Sequence, residues 1–276
     1  MLYKRIITGL ILGLTMIGGF LYSFESAIII CLVILFFTCL EWHMMMRKIS
    51  VSPSNLLMVI SLFISVLIII RIYFNMISLP HIFQYILCGI SLFFIFKFIE
   101  ITFSRNYVKE TIENYYLVPY LVLPILILIF FLNGNFVIHS KWILSMIAMN
   151  WSNDVFAYFV GRKFGKTPLA PEISPKKTIE GSIGGLVGAI LTGICLNLYF
   201  LNEPVSLLFI IIFGIFIWAF GTVGDLFESK LKRLVQIKDS GNILPGHGGF
   251  LDRFDSFLFI IPVGITLVYF FNFLNS

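Results

Sequence analysis

Apolar runs approaching the width of a bilayer recur along this chain, and they limit its fold more than any other feature of the sequence. A membrane-spanning helix needs about 20 mostly apolar residues. Nine segments are predicted as spans on that basis: 6–21, 27–40, 56–70, 83–96, 117–132, 142–160, 183–201, 205–223 and 257–273. The second, third and fourth have the least distinct ends, because Met- and Phe-rich sequence surrounds them. Pro119 and Pro124 are expected to kink the fifth or delay its start. Gly181, Gly184, Gly185 and Gly188 repeat near one face at the seventh, which points to close helix contact. Composition agrees, with 59% hydrophobic and 12% charged residues, where a soluble domain carries about 25% charged. The expected fold is all-α, a polytopic integral membrane protein forming a single membrane domain over 1–276.

The basic residues test the count. Cytoplasmic loops are enriched in Lys and Arg. With nine spans and the N-terminus inside, all but Arg71 and Lys141 of the 19 Lys and Arg residues fall on the cytoplasmic side. A miscounted span would scramble that bias. The expected location is therefore the cell (inner) membrane, with the N-terminus cytoplasmic and the C-terminus outside. Lys4-Arg5 before the first apolar run resembles a signal-peptide start, but the run is long and no cleavage site follows cleanly, so it reads as a retained span. Cys31, Cys39, Cys88 and Cys195 sit in apolar runs without metal-ligand spacing and read as small hydrophobes. The net charge of +5 does not by itself imply nucleic acid, and none is expected as a partner.

Chemistry is concentrated in the second half. Residues 1–141 read as hydrophobic spans with ordinary loops, whereas 142–276 carries two long polar cytoplasmic loops, 161–182 and 224–256. The second of these holds Asp225, Glu228, Asp239, Asp252 and Asp255 beside Lys230, Lys232, Arg233, Lys238 and Arg253. Acids near membrane depth are costly, about 2.5–3.5 kcal/mol at a helix centre, so something must compensate them. Asp225, Glu228, Ser229 and Lys232 share a helical face, as do Asp252 and Asp255. If the flanking spans pack, carboxylates from two helix ends meet at one site, a donor set that suits Mg²⁺ with substrate phosphates. The alternative is a set of interfacial charges paired with neighbouring lysines.

The run Pro245-Gly246-His247-Gly248-Gly249 lies between the carboxylates. Glycines let backbone N–H groups approach phosphate, although such a run is also an ordinary turn and His247 an ordinary hydrogen-bonder. Ser174-Pro175-Lys176-Lys177-Thr178 in the first loop can hold a polyphosphate or a lipid head group, or equally act as a basic patch toward acidic lipids. Asn150 and Asp154, four residues apart in a span, suggest an intramembrane polar pocket.

Together these residues resemble the phosphatidate cytidylyltransferase family. Ser229-x-Leu231-Lys232-Arg233, Lys238-Asp239-x-Gly241 and Leu244-Pro245-x-His247-Gly248-Gly249-Phe250-x-Asp252-Arg253-Phe254-Asp255 match its signature without departure at any motif position. The stretches SPKKTIEGSIGG and NDVFAYFVGRKFG extend the likeness over the C-terminal half. The N-terminal half agrees only in being a set of spans. The resemblance implies a dimeric bilayer enzyme that makes CDP-diacylglycerol from CTP and phosphatidic acid. It implies a metal centre at Asp225 and Asp252, with Asp255 beside them, holding Mg²⁺ and leaving room for a monovalent cation such as K⁺. Lys238, Asp239 and Arg253 join Asp225 and Asp252 as expected catalytic residues. Lys176, Lys177, Lys232, Arg233, His247, Gly248 and Gly249 are the expected substrate contacts. Two rivals remain: a CTP-dependent lipid kinase, which would release CDP, and a polytopic transporter, whose inverted repeats the dissimilar halves do not suggest.

Overall fold

Inside a bilayer no water is available to the peptide groups, so an apolar run must satisfy its own N–H and C=O groups as helix. The computed structural model describes residues 2–49, 81–103, 117–201, 205–244, 246 and 248–275. Eight α-helices lie among them: α1 Leu2–Tyr22, α2 Phe24–Met46, α3 His81–Phe103, α4 Leu123–Gly134, α5 Phe136–Phe164, α6 Ile179–Tyr199, α7 Leu207–Leu234 and α8 Leu251–Asn275. By length and apolarity, Phe24–Met46, Gln84–Phe103, Ile179–Tyr199, Leu207–Leu234 and Leu251–Leu274 qualify as spans, and Ile7–Tyr22 and Val118–Gly134 are shorter apolar helices. The 29-residue α5 is long enough, but Asn150, Asn153 and Asp154 interrupt its apolar sequence. The described residues thus form a helical membrane protein in which five helices are long and apolar enough to span. The expected span 56–70 lies outside them.

Local chemistry sets the helix ends. Ser23 breaks α1 from α2 through a reciprocal capping box with Ser26, and Ser26 Oγ also donates to the Gly19 carbonyl at 2.6 Å. Asn135, Thr178 and Ser206 cap α5, α6 and α7 through their side chains. At Pro119 and Pro124 the helix does not stop. A π-helical turn, Val118–Val122, leads directly into α4, because proline's missing N–H shifts the hydrogen-bond register.

Two expectations are corrected. The polar loops are shorter than 161–182 and 224–256, since α5 continues to Phe164, α6 begins at Ile179, α7 continues to Leu234 and α8 begins at Leu251. Charged residues extend these helices beyond their apolar stretches, so Asp225, Asp252 and Asp255 stand on helices. The first connection is also not all loop. Strands β1 Pro168–Ala170 and β2 Ser174–Thr178 pair antiparallel, Pro168 opposite Thr178 and Ala170 opposite Ser174. The Glu180 carboxylate secures the hairpin's entry by accepting from the N–H groups of Lys166 and Thr167 at 3.0 and 3.1 Å.

Helices α5 and α6 pack face to face through the glycine series. A Cβ at Gly184 would lie 2.5 Å from Val160, one at Gly185 would lie 2.2 Å from Asn153 Oδ1, and one at Gly188 would lie 2.6 Å from Phe156. The α7–α8 contact is also close, since a Cβ at Gly224 would stand 3.0 Å from the Asp255 carbonyl. Ser256 Oγ donates to the Gly221 carbonyl at 2.9 Å. Behind the two helices, Phe98, Tyr120, Phe227 and Phe259 form one aromatic cluster, with centroids 4.7 Å apart for Phe98 and Phe227 and 5.0 Å for Tyr120 and Phe227. Both α2 and α3 run antiparallel to α8. Glu41 near the end of α2 meets the start of α8, and Gln84 near the start of α3 meets Tyr269 near the end of α8. Large apolar side chains such as Leu10, Leu14, Ile29, Phe96 and Phe273 stand exposed around the outside, as a lipid solvent requires.

Candidate active site

A cavity of about 740 Å³ opens where α5, α6, α7, α8 and the hairpin converge against α1. Its lining brings together Asp154 and Asn150 of α5, Lys176 and Lys177 of β2, Asp225 of α7, and Asp252, Arg253 and Asp255 of α8. Leu12, Trp151, Ala157 and Leu169 supply apolar wall. The elements explain the meeting. Gly224 lets the backbones of α7 and α8 approach where Asp225 and Asp255 lie, and the α5–α6 glycine seam carries Asp154 beside the hairpin.

Several of these charges are paired. The Lys177 ammonium donates to Asp225 Oδ2, and Ser229 Oγ donates to Asp225 Oδ1 at 3.2 Å. Lys232 is nearly buried and lies 2.5 Å from both Glu228 Oε2 and Asp252 Oδ1. Asp252 Oδ2 accepts the N–H groups of Ser240 at 3.1 Å and Gly249 at 2.9 Å. Asp255, 8% exposed, accepts from the Ser256 N–H at 2.6 Å.

The other expected site residues are placed as follows. Lys232 sits behind the lining as a bridge between helices. Gly248 takes a positive φ of 85°, which a residue with a Cβ adopts only with strain, and the Gly249 amide is engaged by Asp252. Arg233 reaches the Ile173 carbonyl, with Nε 3.4 Å away, and so ties α7 to the hairpin. Lys238 and Asp239 are exposed on the 235–250 connection, outside the lining. His247 lies outside the described residues. Sequence reasoning missed Glu41, which reaches this connection from α2. A single acid within an otherwise apolar run was the available signal, given its cost in lipid. Thr8 and Gly9 of α1, which also line the cavity, carried no such signal.

Among the described residues no three His, Cys, Asp or Glu side chains converge closely enough to cage a metal ion by themselves. The donor set is nevertheless hard oxygen facing one cavity beside lysines. That suits Mg²⁺, which takes one or two carboxylates and completes its shell with water and substrate phosphate.

A helical membrane protein with a carboxylate- and lysine-lined cavity at the ends of its spans is the class that fold and site define. The chain belongs to the cytidylyltransferase family, whose profile matches residues 3–271. It is similar to the phosphatidate cytidylyltransferase of Bacillus subtilis (strain 168), 53% identical over 112 residues, 41% of each chain. To that of Aquifex aeolicus (strain VF5) it is 41% identical over 175 residues, 63% of this chain and 61% of the relative. To that of Staphylococcus haemolyticus (strain JCSC1435) it is 47% identical over 122 residues, 44% of this chain and 46% of the relative. The aligned stretches therefore span between 41% and 61% of these relatives' own lengths.

Proposed function

We propose that this protein is a phosphatidate cytidylyltransferase, a nucleotidyltransferase that moves CMP from CTP to phosphatidic acid and yields CDP-diacylglycerol and pyrophosphate. The observation that carries the proposal is the meeting of Asp225, Asp252 and Asp255 from two helices with Lys176 and Lys177 in one cavity that also has apolar wall. A nucleotide triphosphate and a lipid phosphate need that combination. The names of the relatives point the same way.

In the reaction a phosphate oxygen of phosphatidic acid attacks the α-phosphorus of CTP in line. A P–O bond forms there as the bond to the bridging oxygen breaks, and its electron pair departs with pyrophosphate. The nucleophile is already an anion, so no strong base is needed. The protein's work is to hold two repelling anions in line and to offset their charge. Lys176, Lys177 and Arg253 face the cavity for that purpose. Lys232 and Arg233 hold the frame, and Lys238 and Asp239 border it on the connecting segment. Asp225, with Asp252 and Asp255, would hold Mg²⁺, and a monovalent cation such as K⁺ would accompany it; the bound metal would supply Lewis-acid neutralisation of the triphosphate.

The same proposal includes nine spans, a cytoplasmic N-terminus and an outer C-terminus. It is supported by the basic residues Lys163, Lys166, Lys176, Lys177 and Lys230 at the site end, against Lys141 at the other. A homodimer is included on family resemblance. The test is release of pyrophosphate from CTP by the purified chain in liposomes, with and without phosphatidic acid and Mg²⁺. Release of CDP instead would make it a lipid kinase and sink the proposal.

A further inference from the structure

Glu41 stands in α2, within the half of the chain that otherwise reads as apolar spans, and its side chain is fully buried. Its carboxylate receives three donors, all from the segment that precedes and starts α8. The Phe250 N–H reaches Oε1 at 2.8 Å, and the Leu251 N–H reaches Oε2 at 2.8 Å. Ser240 Oγ donates to Oε2 at 2.6 Å. Two of these are amides at the start of α8, of its first residue Leu251 and of Phe250 just before it, which have no partner within the helix, and an anion is favoured at that end. Phe37, one helical turn before Glu41, places its ring 5.2 Å from that of Phe250, so one face of α2 grips the same point twice.

The fit leaves no slack. A Cβ at Gly241 would fall 2.3 Å from Glu41 Oε1, and one at Gly249 would fall 1.8 Å from Ser240 Oγ and 2.7 Å from Glu41 Oε2. Ser240 and Gly249 are also the residues whose amides Asp252 accepts. The connection is thus held from two sides, by Glu41 through the Ser240 hydroxyl and the helix start, and by Asp252 through the Ser240 and Gly249 amides.

We infer that Glu41 is a positioning residue for the active site. It fixes Ser240, Gly249 and the start of α8 so that Asp252, Arg253 and Asp255 face the cavity. Its catalytic consequence rests on the function proposed above; its grip on α8 does not. Neither Glu41 nor any of its three hydrogen-bond donors lines the cavity, so its effect passes through those residues.

The experiment uses the purified full chain in lipid nanodiscs. Glu41→Gln keeps the size but turns one acceptor toward the amides into a donor. A misplacement near 1 Å costs on the order of 10²-fold in rate. The expected result is therefore a kcat for pyrophosphate release lower by about 10- to 100-fold. Amide exchange at 249–251 should quicken by about tenfold while the thermal midpoint stays near wild type. Glu41→Asp, which keeps the charge with a shorter reach, should recover part of the rate. Wild-type kcat with unchanged exchange at 249–251 overturns the inference. So does a loss of rate that only tracks loss of folded protein. If Glu41→Gln does not fold, Ser240→Ala decides the matter: faster exchange at 249–251 with reduced kcat supports the role, and neither change refutes it. Should the wild type release no pyrophosphate at all, the proposed reaction fails, and the exchange measurement alone still decides Glu41's grip.

Discussion

The Lys232 ammonium lies 2.5 Å from Asp252 Oδ1, locking α7 to the first turn of α8 across 20 residues of sequence. The same ammonium lies 2.5 Å from Glu228 Oε2, so one cation serves two acids in a nearly dry setting. Such a bridge is costly to break from one side, because the partners left behind are buried and uncompensated.

Lys232→Met should therefore lower the unfolding free energy by about 3–5 kcal/mol, leaving Glu228 and Asp252 facing each other. Denaturant unfolding in detergent, followed by tryptophan fluorescence, checks this. Stability equal to wild type would show that the bridge holds nothing.

Asp225→Asn keeps the shape of the side chain and its Ser229 contact but removes the charge that pairs with Lys177. Pyrophosphate release should fall by at least about 100-fold, the scale associated with losing one electrostatic group at a reaction centre. Insertion and the thermal midpoint should change little, because Asp225 is partly exposed to the cavity.

Removing divalent cations with EDTA should abolish pyrophosphate release, and Mg²⁺ should restore it. Ca²⁺ should restore little, since it binds oxygen at about 2.3–2.6 Å against about 2.0–2.1 Å for Mg²⁺. Full turnover in EDTA would remove the metal from the proposed mechanism.

Gly184→Val places a branched side chain against Val160 where even a Cβ would come within 2.5 Å. Overpacking of this kind typically costs about 1–3 kcal/mol. It should lower both the thermal midpoint and turnover by prising α5 from α6. Gly18→Ala is the control, since a Cβ there meets nothing within 4 Å, and it should leave both unchanged.

Much of the architecture was legible residue by residue. Apolar runs had to become helices, and the glycines at 181, 184, 185 and 188 marked a close seam. What escaped were continuations and long-range partners. Asp225 and Asp252 were read on helical faces at two span ends, but the loop between them was drawn too long, because a helix does not stop where its hydrophobicity stops if its backbone bonds can continue. The β1–β2 hairpin was read as loop because its short, lysine-bearing strands show no alternation of apolar residues.

The sequence by itself determined a membrane protein of many helices, with its acids and lysines gathered in the second half. Both follow from local composition and spacing, which each segment carries alone. Only the tertiary structure decided that Lys232 would bridge Glu228 to Asp252, that α1 would wall the cavity, and that Glu41 would reach more than 200 positions along the chain to hold the start of α8. Those pairings depend on which helices lie side by side, and that is set by packing summed over the whole bundle and written in no single stretch of residues.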